Sequence, residues 1–237
     1  MSTLLKITLA ILLLPYSMMV FADGNSIGKV EHPYIQAQEK EITFSSFYQN
    51  DSNPKKDNIL KHKFGFGWAL SEQWFAEINI SGKHQPDESL TESSYEVELK
   101  HQLTEQGEYA ADYGVLMGYE KEDDINIEEI FVTLITEKQW GKWVGTANLT
   151  GIYEWGENIH NEFETRIAAQ ARYRYKPNLE PAIELYSGEF NKGIGPVLTG
   201  SKRIAPGKKL LWELGVIIGV DKDSPDQTYR ALLEYEF

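Results

Sequence analysis

Five histidines could supply a catalytic base: His32, His62, His84, His101 and His160. A hydrolase needs a nucleophile, a base and an orienting group within reach of one another. His62 and His101 occupy positions of an alternating apolar pattern, near the ends of patterned segments, and no serine motif accompanies His101. A lipase with His101 as its base is therefore a weak alternative. We predict that the protein is not an enzyme and has no catalytic residues.

Two acidic stretches could hold a divalent cation through carboxylate oxygens. One contains residues 122–124 and 128–129, and the other reads DKDSPD over 221–226. The second stretch lacks the glycine and the terminal glutamate of a calcium-binding loop, and charged loops are usually only solvated. The sequence has no phosphate-binding glycine motif and no zinc-ligand spacing. We therefore predict no metal site and no cofactor.

Composition narrows the class of protein further. The chain has 237 residues with 23 Lys+Arg against 36 Asp+Glu, a formal net charge of −13. Such a polyanion lacks the basic stripe that binds nucleic-acid phosphates, so nucleic acid is not a predicted partner. The absence of cysteine excludes disulfides, thiolate metal sites, a cysteine nucleophile and a lipoprotein anchor.

The elements that must position any site are β-strands, because apolar and polar residues alternate along most of the chain. Between residues 163 and 175, for example, Phe163, Ile167 and Tyr173 alternate with charged side chains. The tenth segment is the weakest, because PVLTGSKRI has no clean apolar face. The twelve predicted strands cover about residues 41–49, 58–70, 74–85, 94–104, 112–121, 127–138, 142–155, 162–175, 181–188, 195–204, 210–220 and 227–237.

Three features predict that the apolar face points outward into lipid. Several segments have 11 to 14 residues, which suits a tilted membrane strand better than a soluble sheet. Tryptophans lie near segment ends, where a membrane interface favours them. The opposite face is densely charged. The expected fold is all-β, an antiparallel up-and-down transmembrane β-barrel of about twelve strands. A soluble barrel that holds an apolar ligand stays open as an alternative.

The first 22 residues have the pattern of an export signal. Lys6 precedes the apolar run 7–14, and Val20 and Ala22 occupy the small-residue positions of a signal-peptidase site. The run is short for a membrane-spanning anchor, which is the alternative. We predict a cleaved Sec-type signal peptide over 1–22, a periplasmic N-terminal segment over 23–40 and an outer-membrane β-barrel over 41–237.

Charged residues on the inner face are the candidate functional residues. Opposite charges could pair and fill a closed barrel, or they could line a narrow pore that selects ions by sign. We favour the pore, because twelve strands exceed the roughly eight of a filled barrel and no long loop is available as a plug. Carboxylates outnumber cations on this face, so an open pore would prefer cations. The predicted pore-lining residues are Lys61, Lys63, Glu77, Glu96, Glu98, Lys100, Glu154, Glu164, Arg166, Arg172, Arg174, Glu213, Arg230 and Glu234.

Several stretches carry a resemblance to a known family. They are HPYIQAQEKEI (32–42), LTEQGEYAADYG (103–114), EKQWGKWVGTANLTGIYEWG (137–156), QARYRYKPNLEPAIELYSGE (170–189), GPVLTG (195–200) and the C-terminal PDQTYRALLEYEF. Through them the chain resembles a family of uncharacterised proteobacterial outer-membrane β-barrels. The resemblance implies the fold and the location. No activity is assigned to the family, so no functional residues carry over.

The C-terminal strand implies one partner. Phe237 ends the chain in the same frame as Leu233 and Tyr235. Such an ending resembles the signal read by the outer-membrane barrel assembly machinery. We predict a monomer in the outer membrane of a Gram-negative cell, in contact with lipid, that passes small solutes or ions as a porin does. A closed structural or interaction barrel with acidic loops, or a soluble periplasmic ligand-binding barrel, are the alternatives.

Overall fold

The alternating segments form twelve antiparallel strands that close into one barrel. The structure, a computed structural model, describes residues 27–54, 56–84, 92–123, 126–157, 159–189 and 191–237. In chain order the strands are β1 (Lys40–Asn50), β2 (Ile59–Ala69), β3 (Trp74–His84), β4 (Glu92–Gln102), β5 (Asp112–Glu122), β6 (Ile127–Trp140), β7 (Trp143–Gly156), β8 (Glu162–Tyr173), β9 (Glu180–Ser187), β10 (Lys192–Ala205), β11 (Lys208–Gly219) and β12 (Gln227–Glu236). The predicted signal peptide over 1–22 lies outside the described residues. No helix in the described ranges is long and apolar enough to cross a membrane.

Each strand pairs with its neighbours in sequence, and β1 pairs with β12 to close the sheet. Phe44 of β1 lies opposite Leu233 on one side and opposite Phe64 on the other. Closure leaves no unpaired strand edge, which is what a sheet surrounded by lipid requires. The predicted up-and-down barrel of twelve strands is confirmed. We call the end at which β1 begins the turn end, and the end at which β1 finishes the loop end.

The tenth strand is longer than the sequence predicts. β10 begins at Lys192 rather than near residue 195, because its glycine-rich start pairs with both β9 and β11. A Cβ atom at Gly195 would lie 1.8 Å from the carbonyl oxygen of Val216, so glycine permits an approach that a side chain would block. A glycine-rich stretch is typical of a loop in the sequence, but here its glycines allow neighbouring strands of the wall to pack closely.

The two faces of the wall differ sharply in polarity. Inward-facing Glu96 and Glu154 are buried, whereas outward-facing Leu134 is 54% exposed. Exposed apolar side chains are distributed around the barrel, including Phe64, Ile80, Val97, Leu149, Ile167, Ile183, Leu214 and Leu233. Lipid accommodates such a surface, whereas in water it would promote aggregation. The soluble barrel with an apolar interior is therefore not the fold of this chain.

Aromatic side chains form a rim at each end of this apolar surface. At the turn end Trp143 and Tyr173 have ring centroids 5.0 Å apart. At the loop end Tyr153 and Trp155 are 5.8 Å apart. Amphipathic rings favour the two membrane–water interfaces, so the rims mark the band of the wall that contacts lipid.

Leu149 gives a test of which face contacts lipid. The substitution Leu149→Arg places a charge on the outer surface of β7, where Leu149 is 48% exposed. We expect the free energy of unfolding to fall by about 2–4 kcal/mol, the cost of arginine near the middle of a bilayer. Urea titration of the barrel in phospholipid vesicles measures the change.

Thr150→Arg is the matched control, because Thr150 faces the interior and lines a cavity there. Its register partner is Arg166, which is already paired with Glu164. We expect a loss of stability well below that of Leu149→Arg. A larger loss for Thr150→Arg would show that the inner and outer faces are assigned the wrong way round.

Residues 27–36, which we call the lumen segment, lie inside the barrel before β1 begins. Ile27 and Val30 are each 1% exposed and pack with inward-facing side chains of the wall, including Tyr186 and Ile217. The sequence offered no long loop as a plug, but the stretch before the first strand enters the interior instead. The predicted periplasmic segment over 23–40 has most of its described part within the barrel, where Ile27, Val30 and Pro33 are buried.

Candidate functional site

The lumen segment divides the barrel interior into a filled side and a hollow side. On the filled side, Ile27 and Val30 pack against Tyr186 of β9, Val197 of β10 and Ile217 of β11. On the other side, a cavity of about 280 Å³ lies between the segment and the inner faces of β12 and of β1 to β8. We call this space the side cavity. The predicted pore-lining residues are distributed over both sides and the turn end.

A buried cluster of charges occupies the filled side. The guanidinium of Arg230 has no exposed surface, and its Nη2 lies 2.9 Å from both Glu184 Oε1 and Glu213 Oε2. Its Nη1 donates to the hydroxyl of Tyr186 at 2.6 Å and to the carbonyl oxygen of Gly28 in the lumen segment. Two predicted residues, Glu213 and Arg230, are thus locked into a paired cluster, as the closed-barrel hypothesis expects.

The middle of the lumen segment is held by charged and amide side chains. Lys29 Nζ lies 3.2 Å from Glu234 Oε2, and Lys100 Nζ lies 2.9 Å from Glu31 Oε2. Asn148 accepts a hydrogen bond from the backbone N–H of Glu31 at 2.7 Å and donates one to its carbonyl oxygen at 2.9 Å. Lys100 and Glu234, both predicted as pore lining, therefore bind the segment.

At the turn end the segment crosses to the opposite wall. His32 Nδ1 lies 2.5 Å from Glu137 Oε2, and the hydroxyl of Tyr34 donates to Asp112 Oδ2 at 2.7 Å. None of these four residues was predicted from the sequence to hold an interior segment, and His32 was considered only as a possible catalytic base. The available signal was a short stretch with both apolar and charged residues immediately before the first strand, where a solvated linker would be polar throughout.

The side cavity is lined by more negative than positive groups. Lys63 bridges Glu96 and Glu98 at 2.6 and 3.5 Å, and Arg166 pairs with Glu164 at 3.2 Å. These pairs leave an excess of carboxylates, since seven glutamates and four cationic residues line the space. They are Glu31, Glu77, Glu96, Glu98, Glu120, Glu122 and Glu129, with Lys29, Lys61, Lys63 and Arg166. Predicted Glu154 faces inward beside Glu129.

Asn79 lies in a tightly packed part of the wall of the side cavity. Its Nδ2 donates to Glu96 Oε1 at 3.0 Å, whereas its buried Oδ1 has no hydrogen-bond partner among the described residues. A Cβ atom at Gly65 would lie 2.2–2.3 Å from Thr43 Oγ1, Glu77 Oε1 and Asn79 Oδ1. Glycine at position 65 therefore gives these three oxygen atoms room to converge.

Two predicted arginines lie at the turn end, apart from the side cavity. β8 ends at Tyr173, and Arg174 follows it and donates to Gln139 Oε1 at 2.8 Å. Arg172 Nη1 lies 3.1 Å from Glu180 Oε2. The alternating pattern extends through both residues in the sequence, but the chain turns before Arg174 can join the inner face.

His101, considered for catalysis, and Asp221, considered for metal binding, have partners of their own. His101 stacks on Trp74 with ring centroids 4.1 Å apart, and its Nδ1 lies 3.0 Å from Gln73 O. In the DKDSPD stretch, Asp221 accepts hydrogen bonds from the hydroxyl and the N–H of Ser224. These bonds hold the pKa of Asp221 below its ordinary value. His101 is thus part of an outer-face aromatic contact, and Asp221 stabilises its own loop.

Comparison with known proteins identifies the class to which this fold belongs. No protein-family model and no curated protein matches the chain. Among solved structures, an outer membrane channel from Pseudomonas putida F1 has a TM-score of 0.59 at 13% identity, covering 88% of this chain and 97% of that chain.

Two porins share the fold to a similar degree. The KdgM porin in complex with disordered oligogalacturonate has a TM-score of 0.58 at 10% identity, covering 83% of this chain and 99% of that chain. The NanC porin has a TM-score of 0.54 at 10% identity, and the match covers 83% of this chain and 98% of that chain. The fold is therefore that of outer-membrane β-barrels.

Proposed function

We propose that this protein is a narrow channel of the outer membrane that gives passive passage to small solutes or ions. The observation that carries the proposal is the side cavity, a charged space inside a closed barrel whose outer surface is apolar. A barrel with a purely structural role needs no such space, because packed side chains can fill its interior, as they do in barrels of about eight strands.

The charge of the side cavity supports a preference for cations. Glu120 and Glu129 are register partners on adjacent strands and both line the cavity. Like charges placed side by side attract counterions, and rings of carboxylates select cations in channels. Oligogalacturonate, which the KdgM porin was solved with, is a polyanion. We therefore do not extend that ligand to this chain.

The lumen segment sets the width of the proposed path. Its contacts at the turn end are hydrogen bonds and ion pairs, such as those of Tyr34 and His32. Water can replace polar contacts of this kind more readily than it can replace a packed apolar interface. The full chain should accordingly conduct weakly, and more strongly whenever the segment is displaced.

Single-channel recording across a planar bilayer with a salt gradient tests the proposal. We expect discrete current steps, and a reversal potential that is displaced from zero toward the equilibrium potential of the cation. The double substitution Glu120→Gln with Glu129→Gln should move the reversal potential toward zero. As a control, Glu105→Gln with Glu108→Gln removes the same charge from exposed positions between β4 and β5 and should move it less. An inserted barrel that never conducts would contradict the channel.

A closed structural barrel is the second candidate. The buried Arg230 cluster and the lumen segment together favour it, because they fill one side of the interior. Under either function we propose export by a Sec-type signal, insertion of a monomer by the assembly machinery through the Phe237 strand, and no enzymatic activity. Conductance distinguishes the two functions, because a channel conducts and a closed structural barrel does not.

A further inference from the structure

A second cavity lies at the turn end of the barrel, where the connection between β8 and β9 folds against β10. The N–H of Ser201 in β10 donates to the carbonyl oxygen of Pro177 in this connection at 2.8 Å. The cavity has a volume of about 420 Å³, which lies within the roughly 300–1,000 Å³ of small-molecule sites. We call it the turn-end pocket. None of its described lining residues also lines the side cavity, so the two spaces are separate.

Among the described residues, the lining of the turn-end pocket contains four cationic side chains and one carboxylate. The cationic residues are Arg172, Arg174, Lys176 and Lys209, and the carboxylate is that of Glu180. This excess of positive charge is opposite in sign to the net charge of the chain, −13, and to the charge of the side cavity. A pocket lined by one sign of charge concentrates ions of the other sign, so the turn-end pocket attracts anions.

Arg174 and Lys176 carry charges that no carboxylate neutralises within the part of the chain that the structure describes. Arg174 donates to the neutral side-chain amide of Gln139 at 2.8 Å. Lys176 Nζ lies 5.2 Å from the centre of the Tyr175 ring. The pocket therefore offers two uncompensated positive charges to a ligand.

Arg172 adds an unused hydrogen-bond donor. Its Nη1 lies 3.1 Å from Glu180 Oε2, but its Nε is buried and has no hydrogen-bond partner among the described residues. A buried donor without an acceptor costs free energy, which an oxyanion in the pocket would recover. Lys209 is already paired with Glu236, yet the register of β10 and β11 also places Arg203 beside it. Like charges side by side repel, and a bound anion would reduce the repulsion.

We propose that the turn-end pocket binds the phosphate group of a small phosphate monoester. Such a group carries a charge of about −1.5 to −2 at pH 7 and three strong acceptor oxygens. It therefore matches the charges of Arg174 and Lys176 and the free N–H of Arg172, whereas a carboxylate carries a single charge. A guanidinium also presents its N–H groups in the planar fork that suits phosphate. The site does not depend on whether solutes pass through the interior.

Isothermal titration calorimetry of the full chain, folded in a non-ionic detergent, tests the site with glycerol 3-phosphate at constant ionic strength. We expect one ester to bind per chain. Arg174→Gln with Lys176→Gln should weaken binding by about tenfold or more, the usual effect of losing hydrogen bonds to charged groups. The control Lys138→Gln removes a lysine that lies over the ring of Trp140 at 5.6 Å, as Lys176 lies over Tyr175, but that does not line the pocket. It should bind the ester as the unchanged chain does.

Two further titrations test the charge of the ligand and its source. Sodium acetate, with one negative charge, should bind at least several-fold more weakly than glycerol 3-phosphate. Dioctanoyl phosphatidic acid carries the same phosphate group on a lipid. Tighter binding than that of glycerol 3-phosphate would identify a lipid headgroup as the source, and equal or weaker binding would identify a soluble ester.

Three results would overturn the proposal. The first is the absence of a binding heat for both phosphate compounds at two temperatures. The second is a folded, heat-modifiable double variant that binds as tightly as the unchanged chain. The third is acetate binding as tight as that of glycerol 3-phosphate.

Discussion

A chain that lacks residues 27–36 is expected to conduct several-fold more current per channel than the full chain. The deletion removes the segment that crosses the interior and frees its wall partners, among them Asn148 and Glu137. The strands themselves keep every backbone hydrogen bond of the closed sheet. Conductance in planar bilayers, measured at the same salt concentration for both chains, gives the result.

A graded variant separates widening of the path from damage to the barrel. Glu31→Gln with His32→Gln removes two anchors of the segment while leaving it in the chain. We expect a conductance between those of the full and the shortened chains. Both variants must retain the compact, heat-modifiable form of a folded barrel on gel electrophoresis. A folded deletion variant that conducts no better than the full chain would show that the segment does not limit passage.

Arg230→Met is expected to cost about 3–5 kcal/mol of unfolding free energy, the usual effect of breaking a fully buried ion pair from one side. The guanidinium lies between Glu184 and Glu213 with no exposed surface, so its removal leaves two carboxylates buried and facing each other. It also removes a donor to the lumen segment at Gly28. Urea titration in phospholipid vesicles measures the loss.

Two comparisons show whether burial is the cause. The triple variant Arg230→Met, Glu184→Gln and Glu213→Gln should recover most of the stability, because neutral replacement of a whole buried cluster is often tolerated. Lys209→Gln breaks an ion pair with Glu236 at 2.8 Å, but the lysine side chain is 34% exposed. That change should cost less than about 1 kcal/mol. Equal losses for Arg230→Met and Lys209→Gln would contradict the explanation.

Strand order and orientation follow from local sequence. Side chains of a strand alternate between two faces, so the charged frame through Glu164 and Arg166 and the apolar frame through Phe163 and Ile167 separate without knowledge of distant residues. A membrane barrel then requires the apolar frame to face lipid. The predicted strand bounds failed where tertiary contacts override this local rule, as at the glycine-rich start of β10, whose pairing depends on two neighbouring strands.

The contents of the interior depend on contacts that no local pattern contains. Lys29 reaches Glu234 across 205 positions of the chain, and Arg230 reaches Gly28 across 202. Closing the barrel brings these residues together, because β12 returns to the side of β1. The sequence by itself determined a twelve-stranded barrel with a charged inner face. The tertiary structure alone decided that the lumen segment fills part of it, since burial of Ile27 and Val30 requires walls contributed by three distant strands.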